Sequence, residues 1–257
     1  MEDNRMKKKL IAVGLLIGTL FNVFMATQSM EASTTKNFLN LSVRSIIGTD
    51  DRTRVTDTTQ APYNSMTFIA ADGVPGSVAV IGKNTVLTAA HVVKNIRENP
   101  NKSSIYVIPG RDGSNYSYGK FKIKSIHIPQ SYINKPNANS DIAVLTIEPL
   151  NNKSIGEVVP ILSYRLTNTV AEGTNLITTG FPGDKPWGTM WTAKGVSLNQ
   201  TSARLFYTMD TAGGQSGSPV YNLDNEIIAV HTNGGYKKNF GIKINSEHYQ
   251  FITENLS

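Results

Sequence analysis

The sequence predicts an all-β body, a sandwich or barrel, finished by one C-terminal helix. Three observations point there. The apolar runs are short and rich in β-branched residues: 77–82 (SVAVIG), 85–90 (TVLTAA), 104–109 (SIYVIP), 141–147 (DIAVLTI), 175–180 (NLITTG) and 226–232 (EIIAVHT). Turn-forming clusters separate them, at 109–113 (PGRDG), 137–140 (NANS), 182–186 (PGDKP) and 233–235 (NGG). Many short strands divided by Gly, Pro and Asn turns build sandwiches and barrels. Finally, only two stretches have helical character. One is brief, from Ala89 to Arg97. The other is Ser246–Asn255, where Tyr249 and Ile252 are spaced for one face.

The chain has 257 residues, 39% of them hydrophobic, enough for one large domain or two half-domains that share an interface. Net charge is +6, and half of it lies in residues 1–44. The excess left on the body is ordinary solubility rather than a nucleic-acid footprint. The chain has no cysteine. That excludes disulfides, thiolate metal sites and a cysteine nucleophile, and leaves stability to the core.

The first segment reads as an address. Arg5, Lys7, Lys8 and Lys9 precede an apolar run from Leu10 to Ala26, and small residues follow at Ala26, Ser29 and Ala32. A basic stretch, an apolar stretch and small residues make a secretory signal peptide, here residues 1–32 with cleavage between 26 and 32. The alternative is a membrane anchor, for which the run is at the short limit. The expected product is a secreted, extracellular protein with no membrane attachment once the signal is removed. Residues 33–44 then read as a pro-segment. It ends at Arg44, before Ser45-Ile46-Ile47, a plausible processing site for an activating protease. The body is residues 45–257, with two halves expected to meet near 150–160.

Three blocks carry the chemistry. His91 lies in Thr88-Ala89-Ala90-His91-Val92-Val93, where a strand ends among small residues that let the ring be exposed. Asp141 opens the apolar run 141–147. A carboxylate there is partly buried and needs a partner, because an unpaired buried charge costs several kcal/mol. A histidine N–H would serve; a turn-capping role would suit it equally. Ser216 sits in Gly213-Gly214-Gln215-Ser216-Gly217-Ser218-Pro219-Val220. Glycines on both sides permit unusual backbone angles and close approach of a substrate. The N–H groups of Gly214 and Ser216 can then aim at one spot, as an oxyanion requires. The chain order His, Asp, Ser is that of the chymotrypsin class. The α/β-hydrolase order is Ser, Asp, His around Gly-x-Ser-x-Gly, and the residue two after Ser216 is Ser218.

TAAHVV, SDIAVL and GGQSGSPV resemble the catalytic blocks of bacterial chymotrypsin-fold proteases. The blocks 45–59 (SIIGTDDRTRVTDTT), 181–186 (FPGDKP), 209–220 (MDTAGGQSGSPV) and 229–234 (AVHTNG) narrow the resemblance to the glutamyl endopeptidases of Gram-positive bacteria, from Ser45 to the C-terminus. The resemblance implies two six-stranded antiparallel β-barrels of the chymotrypsin and trypsin type with a C-terminal helix. It implies a serine endopeptidase cleaving after Glu, less readily Asp, with His91, Asp141 and Ser216 as triad and Gly214 and Ser216 as oxyanion donors. It also implies that Thr211, His231 and the freed amine of Ser45 bind the substrate carboxylate. Trypsin-like enzymes pair the new N-terminus with an Asp just before the nucleophile; Gln215 stands there instead. The expected partners are protein or peptide substrates with acidic residues and the activating protease, with no nucleic acid, no cofactor and a monomeric state. A structural calcium near Asp50-Asp51 has no specific support. The competing readings are the same fold with another narrow specificity, as in the epidermolytic toxins, and a catalytically silent β-barrel used as a binding module.

Overall fold

The computed structural model describes residues 44–71, 73–100, 105–235 and 237–257. The expected signal peptide and the pro-segment before Arg44 lie outside the described residues. The strands are β1 (Arg44–Ser45), β2 (Thr53–Arg54), β3 (Met66–Ala71), β4 (Val74–Val80), β5 (Thr85–Thr88), β6 (Val107–Pro109), β7 (Ile123–His127) and β8 (Ala143–Ile147). They continue as β9 (Asn175–Gly180), β10 (Trp191–Gln200), β11 (Arg204–Tyr207), β12 (Thr211–Ala212), β13 (Pro219–Tyr221), β14 (Ile227–Gly234) and β15 (Asn239–Lys243). The α-helices are α1 (Ala90–Val93), α2 (Gln130–Asn134), α3 (Ile155–Val158) and α4 (Ser246–Glu254).

The strands make two antiparallel barrels. The first has the order β6-β3-β4-β5-β8-β7, and a bridge between Val107 and Phe121 brings its two edges together. The second runs β11-β15-β14-β13-β9-β10, and pairing of β10 with β11 closes it, with β2 added outside β10. Closure removes the unpaired edges that an open sheet would expose. The long connection 148–174 carries the chain from one barrel to the other.

Both faces of the central strands are buried, and this explains their unbroken apolar sequences. On β8, Ala143, Leu145 and Ile147 join the cluster that contains Val78, Val86 and Phe121. The alternate residue Val144, with Ile142 just ahead of it, joins a second cluster with Phe68, Leu87, Phe181, Tyr221 and Val230. The second cluster draws on strands of both barrels and so fills the seam between them. A strand buried on both faces loses the hydrophobic-in, polar-out alternation. A third cluster, with Leu176, Leu205, Tyr207, Val220 and Ala229, belongs to the second barrel alone.

Both expected helical stretches are present, and two short helices that the sequence reading did not expect, α2 and α3, join them. The segment expected from Ala89 to Arg97 is one short α-turn followed by a 3-10 turn at Lys94–Ile96. The terminal helix α4 is capped by the Asn245 side chain, which accepts from the His248 N–H, and it buries Ile252 in the seam cluster. Tyr249, expected to share the face of Ile252, is instead exposed with its ring against Tyr164, and His248 takes the buried position one turn before Ile252.

Leu145 is fully buried in the first barrel. Leu145→Ala is expected to destabilise the protein by about 2–5 kcal/mol through lost burial and a residual cavity. Equilibrium urea denaturation measures this, and a loss near zero would show that the barrel interior is loosely packed.

Candidate active site

The site lies where the barrels meet, and the strand register builds its acid–base half. Antiparallel pairing of β5 with β8 sets Thr88 opposite Ala143. The residues just after β5 therefore lie beside those just before β8, and His91 meets Asp141. The Asp141 carboxylate accepts the His91 backbone N–H at 2.8 Å and faces ring Nδ1 at 2.7 Å. Two bonds from one carboxylate fix both the position and the rotation of the imidazole. With Nδ1–H donated to Asp141, the neutral ring keeps Nε2 as an acceptor. The loop before Asp141 is itself held: Asn137 Nδ2 donates to Ser140 Oγ, and Asn137 Oδ1 accepts from the Asn139 N–H.

Ser216 comes from the second barrel, half-buried, on the loop between β12 and β13. Ser77 on β4 clamps that loop across the seam. Its N–H donates to Ser216 O at 2.9 Å, and its hydroxyl donates to Gly214 O at 3.0 Å while accepting the Phe181 N–H. Thr88 Oγ1 in turn donates to Ser77 O. Gly217 has φ +86°, and a Cβ there would run into Ser77 O and Thr88 Oγ1, so glycine alone lets the nucleophile loop approach the histidine strand this closely. These contacts bring the Ser216 loop against Thr88 and Ala89, just before His91, and Ser216 Oγ makes no hydrogen bond among the described residues. A serine–histidine bond often tightens only when substrate arrives.

The orientation of the Gly214 N–H, one of the two expected oxyanion donors, follows from one peptide plane. Gly213 O accepts the Gly183 N–H at 2.6 Å. In a trans peptide the N–H of the next residue points the opposite way, so the Gly214 N–H faces away from Gly183. Among the described residues, neither the Gly214 nor the Ser216 N–H has a protein acceptor, which leaves both open to a ligand.

The expected specificity residues also gather. Ser45 pairs with Thr211 in the short β1–β12 ladder. Asn239 Nδ2 donates to Ser45 O and to Met209 O, both at 2.7 Å, and Gly234 on β14 lies against the Ser45 side chain. His231, three residues before Gly234, is buried and shares a 2.6 Å hydrogen bond between Nδ1 and Tyr207 Oη. Burial pushes the His231 pKa down from 6.5 to about 3, assisted by the nearby His91, so the ring is neutral at physiological pH. Burial also pushes the Tyr207 hydroxyl well up, so it keeps its proton. A Tyr207 O–H donated to Nδ1 leaves the imidazole proton on Nε2. Ser45 is still bonded to Arg44, so its nitrogen is an amide in this structure.

Sequence reasoning missed Ser77, Asn239, Tyr207 and Asp210. Asp210 is buried, and its carboxylate accepts the N–H groups of Ile47 at 2.7 Å and Asp51 at 3.2 Å, tying residues 47–51 to the β11–β12 loop. A serine inside an apolar strand, as in 77–82, was the one signal available, since a buried hydroxyl must find partners. Asp50, mentioned above for calcium, is engaged by Arg52 and Lys185.

Residues 76–230 match the trypsin-like peptidase domain family. The chain is 35% identical over 223 residues to a glutamyl endopeptidase of Bacillus licheniformis, across 82% of this chain and 69% of that one. It is equally similar, 35% over 228 residues, to a Bacillus subtilis protein named extracellular metalloprotease, across 84% of this chain and 71% of that one. Among the described residues, no three His, Asp or Glu side chains gather as a metal site would require. A solved structure of a Glu endopeptidase in complex with MPD superposes with a TM-score of 0.72 at 29% identity, covering 81% of this chain and 98% of that one.

The buried neutral His231 has a consequence for stability. An unfolded histidine takes up its proton near pH 6.5, whereas the folded ring does so near 3. The unfolded state therefore binds more protons between those values, and stability falls as pH falls, by about 1.4 kcal/mol per pH unit from this group. His231→Gln should flatten the wild-type slope by that amount in urea denaturation across this window. Identical slopes in the two proteins would mean that the ring titrates normally.

Proposed function

The chain belongs to the trypsin-like peptidase family and is a serine endopeptidase, and on that basis we propose that it is secreted and cleaves peptide bonds after Glu, less readily after Asp. In this reading Ser216 Oγ attacks the scissile carbonyl and His91 Nε2 takes its proton, then delivers it to the leaving amine. Asp141 holds the ring in the required tautomer and stabilises the imidazolium. The Gly214 and Ser216 N–H groups receive the negative charge that develops on the carbonyl oxygen. Water then releases the acyl group by the same steps in reverse.

The observation that carries the glutamate reading is the position of Ser45. The residue that becomes the mature N-terminus already lies in the ladder with Thr211, beside the strand that holds His231. Cleavage of Arg44–Ser45 would convert a neutral amide into an ammonium at that spot. A Glu carboxylate leaving water must be paired by donors, or its desolvation opposes binding. The ammonium, the Thr211 hydroxyl and the His231 N–H supply them, with the charge coming from the amine because His231 is neutral. Gln215 has no charge with which to draw the amine elsewhere. In the uncut chain the same space holds the Arg44–Ser45 peptide. Processing therefore acts as a switch for substrate preference, worked by a separate protease on a monomeric precursor. Secretion is supported by the basic and apolar leader, and among the described residues no helix is long and apolar enough to cross a membrane.

Peptide-library cleavage by the processed protein, with N-terminal sequencing to define its start, tests the proposal. Cleavage confined to sites after acidic residues is expected. Equal turnover after Glu and neutral residues would end the glutamate reading, and a different narrow preference would support the alternative specificity. Ser216→Ala should lower kcat on the order of 10⁶-fold, with folding unchanged by circular dichroism. Retained activity would remove the triad assignment. Acetylating the Ser45 amine should raise KM and lower kcat/KM for Glu substrates while a fluorophosphonate still labels Ser216. Full activity of the acetylated enzyme would exclude the amine from the pocket.

A further inference from the structure

The Arg52 side chain is completely buried, and its guanidinium ties the segment 50–52 to Asp184 and to Gln215 on the loop that carries Ser216. Its Nε and Nη2 donate to Asp50 at 2.9 and 2.8 Å, and its Nη1 and Nη2 donate to Asp184 at 3.0 and 2.7 Å. Nη1 also reaches Gln215 Oε1 at 3.3 Å. The Asp184 side chain is 2% exposed, so this is an ion pair removed from water. Such a pair requires good geometry on both sides, and removing one partner strands the other charge.

Two of the guanidinium's three partners, Asp184 and Gln215, adjoin peptides that shape the loop. Asp184 follows Gly183, whose N–H holds Gly213 O and thereby turns the Gly214 N–H outward. Gln215 is wholly buried between Gly214 and Ser216. Its Oε1 also accepts the Ala212 N–H, its own N–H donates to Ala212 O, and its carbonyl accepts the Ser218 N–H. The peptides on either side of Gln215 therefore have little freedom.

We infer that Arg52 is a positioning residue for the oxyanion loop, holding the Gly214 and Ser216 N–H groups in working orientation through Asp184 and Gln215. The inference rests on reading those two N–H groups as the oxyanion donors. Trypsin-like enzymes obtain a cation beside the nucleophile loop only when cleavage frees an N-terminus. Here the cation is a side chain inside the mature chain, and it is in place while Arg44 and Ser45 are still joined. Cleavage at Arg44–Ser45 accordingly changes the substrate pocket and leaves the oxyanion loop as it was. The precursor is a complete acylating machine with an incomplete glutamate pocket.

Two measurements test this. In processed enzyme, Arg52→Gln should lower kcat by about 10²–10³-fold, the loss expected when an oxyanion donor is misplaced, with KM nearly unchanged. Fluorophosphonate labelling of Ser216 should slow in parallel, below the unfolding temperature of the variant. Arg52→Lys keeps the charge and loses the planar fork, and should fall between the two. A folded Arg52→Gln enzyme with wild-type kcat and labelling overturns the inference. The second measurement leaves Arg52 intact and so does not depend on how the variants fold. A precursor locked by Arg44→Gln, verified uncut by mass, should be labelled at close to the rate of processed enzyme. Labelling slower by orders of magnitude would show that the loop forms only on cleavage, and overturns the inference. Ser216→Ala separates the two layers: a variant that still cleaves overturns the triad reading on which the oxyanion assignment rests, whereas an inactive one beside a fully active Arg52→Gln enzyme overturns the role of Arg52 alone.

Discussion

Ser77 joins the two barrels at the point where the chemistry is assembled. It lies on β4 of the first barrel, yet its N–H and hydroxyl bind Ser216 O, Gly214 O and the Phe181 N–H of the second. All these atoms are buried or nearly so, and a buried polar group left without its partner costs about 1–3 kcal/mol. The seam is therefore held in one register, because a small slide would leave several such groups unpaired at once. His91 and Asp141 belong to the first barrel and Ser216 to the second. Asp141 holds His91 directly, whereas the placement of Ser216 relative to that pair depends on the seam register.

Around this seam, charges are buried only where something meets them. Asp141 is paired with His91, Arg52 with Asp50 and Asp184, and Asp210 with two backbone N–H groups. The Arg52 hydrogen bonds hold the Asp50 carboxyl well below the usual carboxylate range. His231 takes the other course and stays neutral. The difference suits their tasks. A group that must hold a loop in place gains from a permanent charge fixed by a fork of donors. In the proposed glutamate pocket, a neutral His231 costs the free enzyme little while the pocket is empty.

Much of this was legible in the chain. Runs such as 77–82 and 141–147 read as strands because nothing but burial explains so many β-branched residues together. Gly213, Gly214 and Gly217 around Ser216 marked a loop in which the backbone itself does work, and Gly214 and Gly217 both have positive φ. The short polar strands were harder to see. β2 is two exposed residues and β11 mixes Arg204 with aromatic side chains, so neither has a hydrophobic period to detect. Arg52 and Asp210 gave no local signal either. A charged residue looks the same in sequence whether its partner is absent or lies 132 positions away, as Asp184 does from Arg52.

The sequence by itself determined the all-β class, the chain order His91, Asp141, Ser216, the glycine-bound loop around Ser216 and the basic, apolar leading segment. These are properties of neighbouring residues: periodicity, turn chemistry and the steric needs of glycine act over a few positions. Only the tertiary structure decided that Asp141 meets His91 through the β5–β8 register, that Ser45 lies against Thr211, and that Arg52 stands behind the nucleophile loop. Such pairings depend on barrel closure and on the desolvation of charges far apart in the chain. The proposed triad, read first as three residues in the right order, draws His91 and Asp141 from one barrel and Ser216 from the other, and Ser77 locks the two together at that seam.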